Sequence, residues 1–309
     1  MGETKRMHYV PRTYLKHFSN ATVKGPNDIL YRIHAILVPG LDDSQLKLLS
    51  ITDVCLENDL YTLPGQTPEE RLFLENMYNE LYEKNYDSYY TLLTDENRKK
   101  ISPLERRAII SFVVSMFYRN SSWGNAYNKL MDETYAKAFA LAEEHGNESF
   151  FMDDKEISIA GKTLKEFQKE NKEKDRPMIA LSQAQRIFEL IRLRLINDVV
   201  TIVKLENTNL EFITGDTPVT FRDSSSKHPM PFDPYNTLSI PLDNKHLLQL
   251  RPWGHELDKD VIGRMDATSI IAEGTTMINN YFQAAQAGRF IFGTEPGLRM
   301  FLKNKDKYK

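Results

Sequence analysis

The sequence predicts an α+β fold, a largely helical middle packed on a mixed or antiparallel sheet built from N- and C-terminal strands. Three observations lead there. Helical spacing of apolar residues is concentrated between positions 67 and 197, β-branched runs broken by Asn, Asp, Pro and Ser dominate after Asp198, and an alternating apolar run lies near the N-terminus. The 309 residues are read as a single α+β domain, 1–309. Within it, 1–66 carries an N-terminal motif helix and strands, 67–197 a helical subregion, and 198–309 a β-rich region with a late helix.

The opening stretch MHYVPRTYLKHFS (Met7 to Ser19) starts with a helix signal. Pro11 suits a first helical position and Tyr14, Leu15 and Phe18 share a face, with Ser19 and Asn20 ending the element. After the turn cluster KGPND, the run ILYRIHAILV alternates as a strand, and a second strand is expected around Leu46 to Val54. Thr67 caps the next helix, with Pro68 in its first turn and Phe73, Met77 and Leu81 recurring every fourth residue. Ser102 caps a run that includes IISFVVSMFY, a helix closed by Gly146 follows, and Ile187, Ile191 and Leu195 mark one face of another. The charged LKEFQKENKEKDRP is a solvated helix or a surface connector. Strands are expected in DVVTIVKLE, LEFITGD, TLSIPLD and RFIFG, with a long helix over 267–288 that tolerates Gly274 at about 1 kcal/mol.

Composition removes several classes. A formal charge of −3 argues against a protein that coats nucleic acid through many phosphate contacts, although a local basic groove is compatible with it. The single cysteine, Cys55, allows neither an intrachain disulfide nor a thiolate zinc cluster, which fits a reducing cytoplasm. No apolar run reaches the roughly 18 residues of a membrane span, and no secretion signal opens the chain. P-loop, dinucleotide-fingerprint, nucleophile-elbow and H-E-x-x-H patterns are all missing from the sequence.

The remaining candidates each have a structural alternative. His8, Arg12 and Tyr14, gathered about a helix start, suit a phosphate or carboxylate, or else fix the direction of the chain by packing. Arg12 and His17 have the R-x-x-x-x-H spacing of some helical ribonucleases, but positions five apart lie about 140° around a helix. Asp216, at the end of the apolar FITGDTPV, is placed to bind a metal or act as a base, or to organise an Asx turn. Arg119 emerges from the apolar run and suits bidentate anion binding, or a helix C-terminus. Glu80 and Glu83 have bundle-metal spacing beside a stripe of tyrosines, though Lys84 makes a solvated face the simpler reading. His246 and His255 add imidazoles without a zinc spacing.

Two of these stretches carry a family resemblance. HYVPRTYLKHF and FITGDTPV together resemble the family DUF4238, whose members begin with H-[HY]-V-P-x-x-Y-L-x-x-F and later carry a TSDNPV-like turn. His8, Val10, Pro11, Tyr14, Leu15 and Phe18 match the first pattern, and Thr214, Asp216, Pro218 and Val219 the second, while Gly215 and Thr217 depart from it. The resemblance also takes in ENDLYTL and SIPLD. It implies no particular reaction.

The function expected from the residues is a cytoplasmic hydrolase acting on a phosphate-containing small molecule or nucleic acid, a nuclease assisted by a divalent metal ion. His8 and Asp216 are the catalytic pair, Asp216 is also the metal ligand, and Arg12, Tyr14 and Arg119 bind substrate. The alternative is a non-catalytic binding protein in which both motifs are structural and the tyrosine-rich helix faces a protein partner or a second copy of the chain.

Overall fold

The computed structural model describes residues 6–24, 29–119, 121–222, 233, 235–252 and 258–305. The chain opens with β1 (Arg6–His8), α1 (Arg12–Leu15) with a 3₁₀ turn after it, β2 (Ala21–Lys24), β3 (Ile29–Leu37), β4 (Lys47–Ser50) and β5 (Leu56–Asn58). The middle holds α2 (Pro68–Arg71), α3 (Phe73–Tyr78), a π-helical turn (Asn79–Glu83), α4 (Tyr86–Thr94), α5 (Pro103–Tyr118) and α6 (Ser121–Glu144). A hairpin, β6 (Ser149–Met152) and β7 (Lys155–Ser158), then leads to α7 (Leu164–Asn197). The last third contains β8 (Val199–Leu205), β9 (Thr214–Gly215), β10 (Thr220–Arg222), β11 (Thr237–Pro241), β12 (His246–Arg251), β13 (Gly263–Ala267), α8 (Ser269–Gln286), β14 (Phe290–Gly293) and α9 (Glu295–Asn304).

The α+β class holds, with two five-stranded sheets where one was expected. The first runs β2-β3-β14-β9 with β4 against β3, so strands from the two ends of the chain do pair. The second, β10-β11-β12-β8-β13, is built wholly from the last third, and only β13 runs parallel to its neighbour. Its β11–β12 hairpin turns through Asp243, whose carboxylate accepts the Lys245 and His246 backbone N–H groups. Such a side-chain turn closes antiparallel neighbours locally. β1 and β5 form a separate two-stranded ribbon.

The helical middle packs on the second sheet. Ile110 and Val113 of α5 and Ile187 of α7 share one core with Val200, Ile202, Ile240 and Leu248. α5 is buried nearly all round, as its unbroken apolar run requires. α7 runs unbroken for 34 residues through Pro177, joining the charged stretch and the apolar one that the sequence separates. On α2–α4 the buried face differs from expectation. Phe73 and Leu81 are exposed while Leu74, Tyr78, Tyr82 and Tyr86 go inside, so the tyrosines fill the core instead of offering a partner surface. No helix among the described residues is long and apolar enough to cross a membrane.

Candidate functional site

The N-terminal motif divides its side chains between two environments. Successive residues of extended backbone point to opposite sides, and His8 and Tyr9 do so from the end of β1. On the Tyr9 side lies the GDTPV turn. Asp216 is 3% exposed, and its Oδ1 accepts the Gly288 N–H at 2.8 Å while Oδ2 accepts those of Arg289 (2.8 Å) and Phe290 (3.2 Å). The Tyr9 hydroxyl donates to the same Oδ2 at 3.4 Å. Burial raises the Asp216 pKa against the opposing pull of those three amides.

Tyr14 makes the second link. Fully buried, its hydroxyl lies 2.7 Å from Thr214 Oγ1 and donates to the Pro241 carbonyl at 2.8 Å, tying α1 to both large sheets. The 213–218 segment is fixed from the other side by α8. The Asn280 and Gln283 side-chain oxygens accept the Ile213 and Gly215 N–H groups, and Gln283 donates to the Pro218 carbonyl. The two motifs therefore meet in space, through tyrosines, as a hydrogen-bonded lock.

This placement bears on three expectations. Asp216 does not line the cavity that His8 borders, so the two are not a catalytic pair there. Both Asp216 oxygens are held by backbone amides, and no group of three or more His, Cys, Asp or Glu suited to a metal occurs among the described residues. Tyr14 is a buried staple and does not reach that cavity.

On the His8 side is a polar cavity of about 170 Å³, lined by His8 from β1, Arg12 from α1, Tyr61, Tyr78 with Glu75 from α3, Asn79 and Glu83 from the π turn, and Arg119 from the end of α5. The π turn brings Asn79 and Glu83 to it together, and such turns often sit at functional sites. Arg119 is 1% exposed. Its Nη1 donates to Glu83 Oε1 at 2.5 Å, its Nε donates to the Tyr9 carbonyl at 3.2 Å, and its guanidinium lies 5.4 Å from the Tyr78 ring centre. The Tyr61 hydroxyl donates to the Arg119 carbonyl at 2.6 Å, fixing the helix end. Arg119 Nη2 is buried and has no partner among the described residues.

His8 is half-buried, and burial followed by the Arg12 charge lowers its pKa to about 4. The Ile51 backbone acts in the opposite direction and raises it, and Nε2 is buried with no partner among the described residues. A neutral imidazole has one acceptor nitrogen, and the unpartnered Nε2 faces the cavity side of the ring. The cavity thus combines a sequestered base, two guanidiniums and a neutralising carboxylate.

The other imidazoles go elsewhere. His17 stacks on Tyr90 at 3.6 Å and lies 3.1 Å from Asp87, away from Arg12's cavity. Tyr90 donates to Asp243 at 2.7 Å, and His246 Nδ1 lies 2.9 Å from the same carboxylate. His255 lies outside the described residues. Glu80 pairs with Lys84 on the surface, as the solvated reading has it, while Glu83 turns inward to Arg119. Tyr61, Glu75, Tyr78 and Asn79 are cavity residues that the sequence reading passes over. The one signal for Tyr61 is its place in ENDLYTL.

The family model described as Protein of unknown function (DUF4238) matches residues 6–296. The chain belongs to the DUF4238 family. No curated protein and no solved structure matches it. In this DUF4238 member the histidine and the tyrosines of the N-terminal motif have separate tasks, one set toward the cavity and the other toward the lock.

Proposed function

We propose that the cavity binds the phosphate end of a small molecule or of a nucleic-acid strand and hydrolyses a phosphate ester there. The observation that carries this is the convergence of His8, with an unpartnered Nε2, and the Arg12 guanidinium from the N-terminal motif with the guanidinium of Arg119 from the distant end of α5. At about 170 Å³ the cavity takes the reacting end of a substrate rather than enclosing a whole nucleotide. Arg12 and Arg119 Nη2 hold the phosphoryl charge. The bound anion offsets the Arg12 charge and moves the His8 pKa upward, toward the range where an imidazole is an effective base. His8 Nε2 then takes a proton from water, the water oxygen bonds to phosphorus, and the departing ester oxygen takes a proton from solvent. Phosphate charge is assigned to guanidiniums because Asp216 is committed to amides. The buried thiol of Cys55 supports a cytoplasmic setting.

The test is hydrolysis of p-nitrophenyl phosphate and bis(p-nitrophenyl) phosphate by the full chain, with calorimetric titration of inorganic phosphate alongside. Turnover that disappears in His8→Asn, with phosphate binding retained, is the expected result. A second reading is favoured by the Glu83–Arg119 pair, which already neutralises the deepest cation: the cavity binds an anion without turning it over. Phosphate binding that weakens in Arg12→Gln, with neither ester hydrolysed, selects that reading, and absence of phosphate binding removes both.

A further inference from the structure

Far from that cavity, the face of the second sheet that turns toward α8 is polar where a helix-covered face is normally apolar. The strand registers pair Thr201 with Gln249, Gln249 with Ser239 and Ser239 with Thr220, so these four form one cross-strand row. Two residues along, Arg251 and Arg222 lie on the same face, separated by the β11 strand and hence about 10 Å apart at the backbone. Between this face and Ile278, Asn279 and Phe282 of α8 is a cavity of about 120 Å³. Further along the same face, Val203 and Leu247 pack in an ordinary apolar cluster, so the core does not require the polar row.

Three observations show that the cavity wall is built for a ligand of mixed character. Asn279 is 4% exposed, and its Nδ2 donates to Asn280 Oδ1 at 3.1 Å and to the Ile213 carbonyl at 3.4 Å. Its Oδ1 is left buried with no donor among the described residues, an acceptor that costs stability unless something answers it. Gln249 Oε1 accepts from Arg251 Nε at 3.0 Å and from its Nη2, which holds that guanidinium at the rim. Burial, and after it the neighbouring Arg222 charge, keep the Arg251 pKa below the usual arginine value. No acidic side chain among the described residues lines the cavity, whose remaining walls include Val203, Leu247 and Met265.

We infer that this cavity binds a small organic carboxylate with a compact apolar body and one hydrogen-bond donor. The carboxylate sits between Arg222 and Arg251, the body rests on Val203, Leu247, Ile278 and Phe282, and the donor reaches Asn279 Oδ1. The volume admits one ring or a short chain. The inference is independent of the phosphate site, which shares none of these residues.

The test is calorimetric titration of the full chain with 3-hydroxybenzoate and 3-hydroxybutyrate, against the neutral 3-hydroxybenzamide. The expected result is saturable binding of at least one acid, weakened about tenfold or more by the amide replacement and by Arg251→Met, the size of one charge-assisted hydrogen bond. Arg222→Gln, at an exposed position, weakens it several-fold and decides the matter if Arg251→Met does not fold. His8→Asn leaves it unchanged, which separates this site from the phosphate cavity. Failure of both acids to bind at millimolar concentration overturns the inference. So does equal affinity for the amide, or binding that a folded Arg222→Gln leaves intact.

Discussion

The two sides of the N-terminal motif differ in one physical respect, saturation. The Asp216 carboxylate and the Tyr14 hydroxyl each have several protein partners: three amides and a tyrosine for the carboxylate, a threonine and a carbonyl for the hydroxyl. Around His8 and Arg119, five or so residues away in sequence or delivered from α5, an imidazole nitrogen and a guanidinium nitrogen are buried without partners among the described residues. Folding alone accounts for the first arrangement and does not account for the second, because buried polar atoms are nearly always satisfied. The contrast therefore separates a saturated environment from an unsaturated one within a single stretch of thirteen residues.

The largest effect that would break this contrast is at Asp216. Asp216→Ala leaves one buried and two part-buried backbone donors without their acceptor, so unfolding by urea is expected to lose roughly 3 kcal/mol, at one to three for each unsatisfied donor. A variant that keeps wild-type stability and loses only ester hydrolysis would return Asp216 to the active centre. His8→Asn is the counterpart. Removing a general base is expected to cut hydrolysis about a hundredfold or more, while the urea midpoint moves little because His8 is half-exposed and its Nε2 has no partner among the described residues. If His8→Asn destabilises as strongly as Asp216→Ala, the two sides are one structural unit.

Much of the fold is legible in the sequence because its signals are local. Thr67 and Ser102 cap their helices with reciprocal Glu70 and Glu105 bonds, and both ends of the chain supply strands, as the β-branched runs indicate. Short elements escape or shrink: β1, with three residues, has no room for a periodic pattern, and the strand expected over LEFITGD is reduced to the two residues of β9. On α2–α4 the tyrosine stripe packs inside as its spacing indicates, while the apolar series Phe73, Met77 and Leu81 misleads: the π turn after Tyr78 shifts the phase, and Phe73 and Leu81 are exposed. His8, Arg12 and Arg119 stand out as chemistry-bearing residues. That Glu83 neutralises Arg119, or that Tyr61 braces its carbonyl, depends on contacts 36 and 58 positions apart that no spacing rule contains.

The lock can be weakened without being broken. Tyr14→Phe keeps the buried ring and strips the hydroxyl from Thr214 and the Pro241 carbonyl, so a loss of about 1–3 kcal/mol in urea unfolding is expected, smaller than for Asp216→Ala. Phosphate affinity measured at a temperature where the variant is fully folded should stay at the wild-type value, because Tyr14 does not line the cavity. A matching fall in affinity would mean that α1 must be held by Tyr14 for Arg12 to reach the anion, and would join the two sides through backbone position.

The smallest effect is in pH. His8 has an ordinary value of 6.5 and a folded value of about 4, lowered by burial and then by Arg12. Between those values the unfolded chain binds the proton more readily than the folded one, so this histidine's contribution is fully present above pH 6.5 and is lost as pH falls through 4. Solvent screening of its exposed part keeps the effect on the order of 1 kcal/mol. His8→Asn is expected to flatten that portion of the stability profile. Phosphate sharpens the test further: an anion beside Arg12 raises the His8 pKa, so binding near pH 5 takes up a proton, and the calorimetric heat should depend on the ionisation enthalpy of the buffer. In His8→Asn that dependence should shrink toward the contribution of phosphate's own ionisation, and a dependence equal to wild type would place the proton on another group.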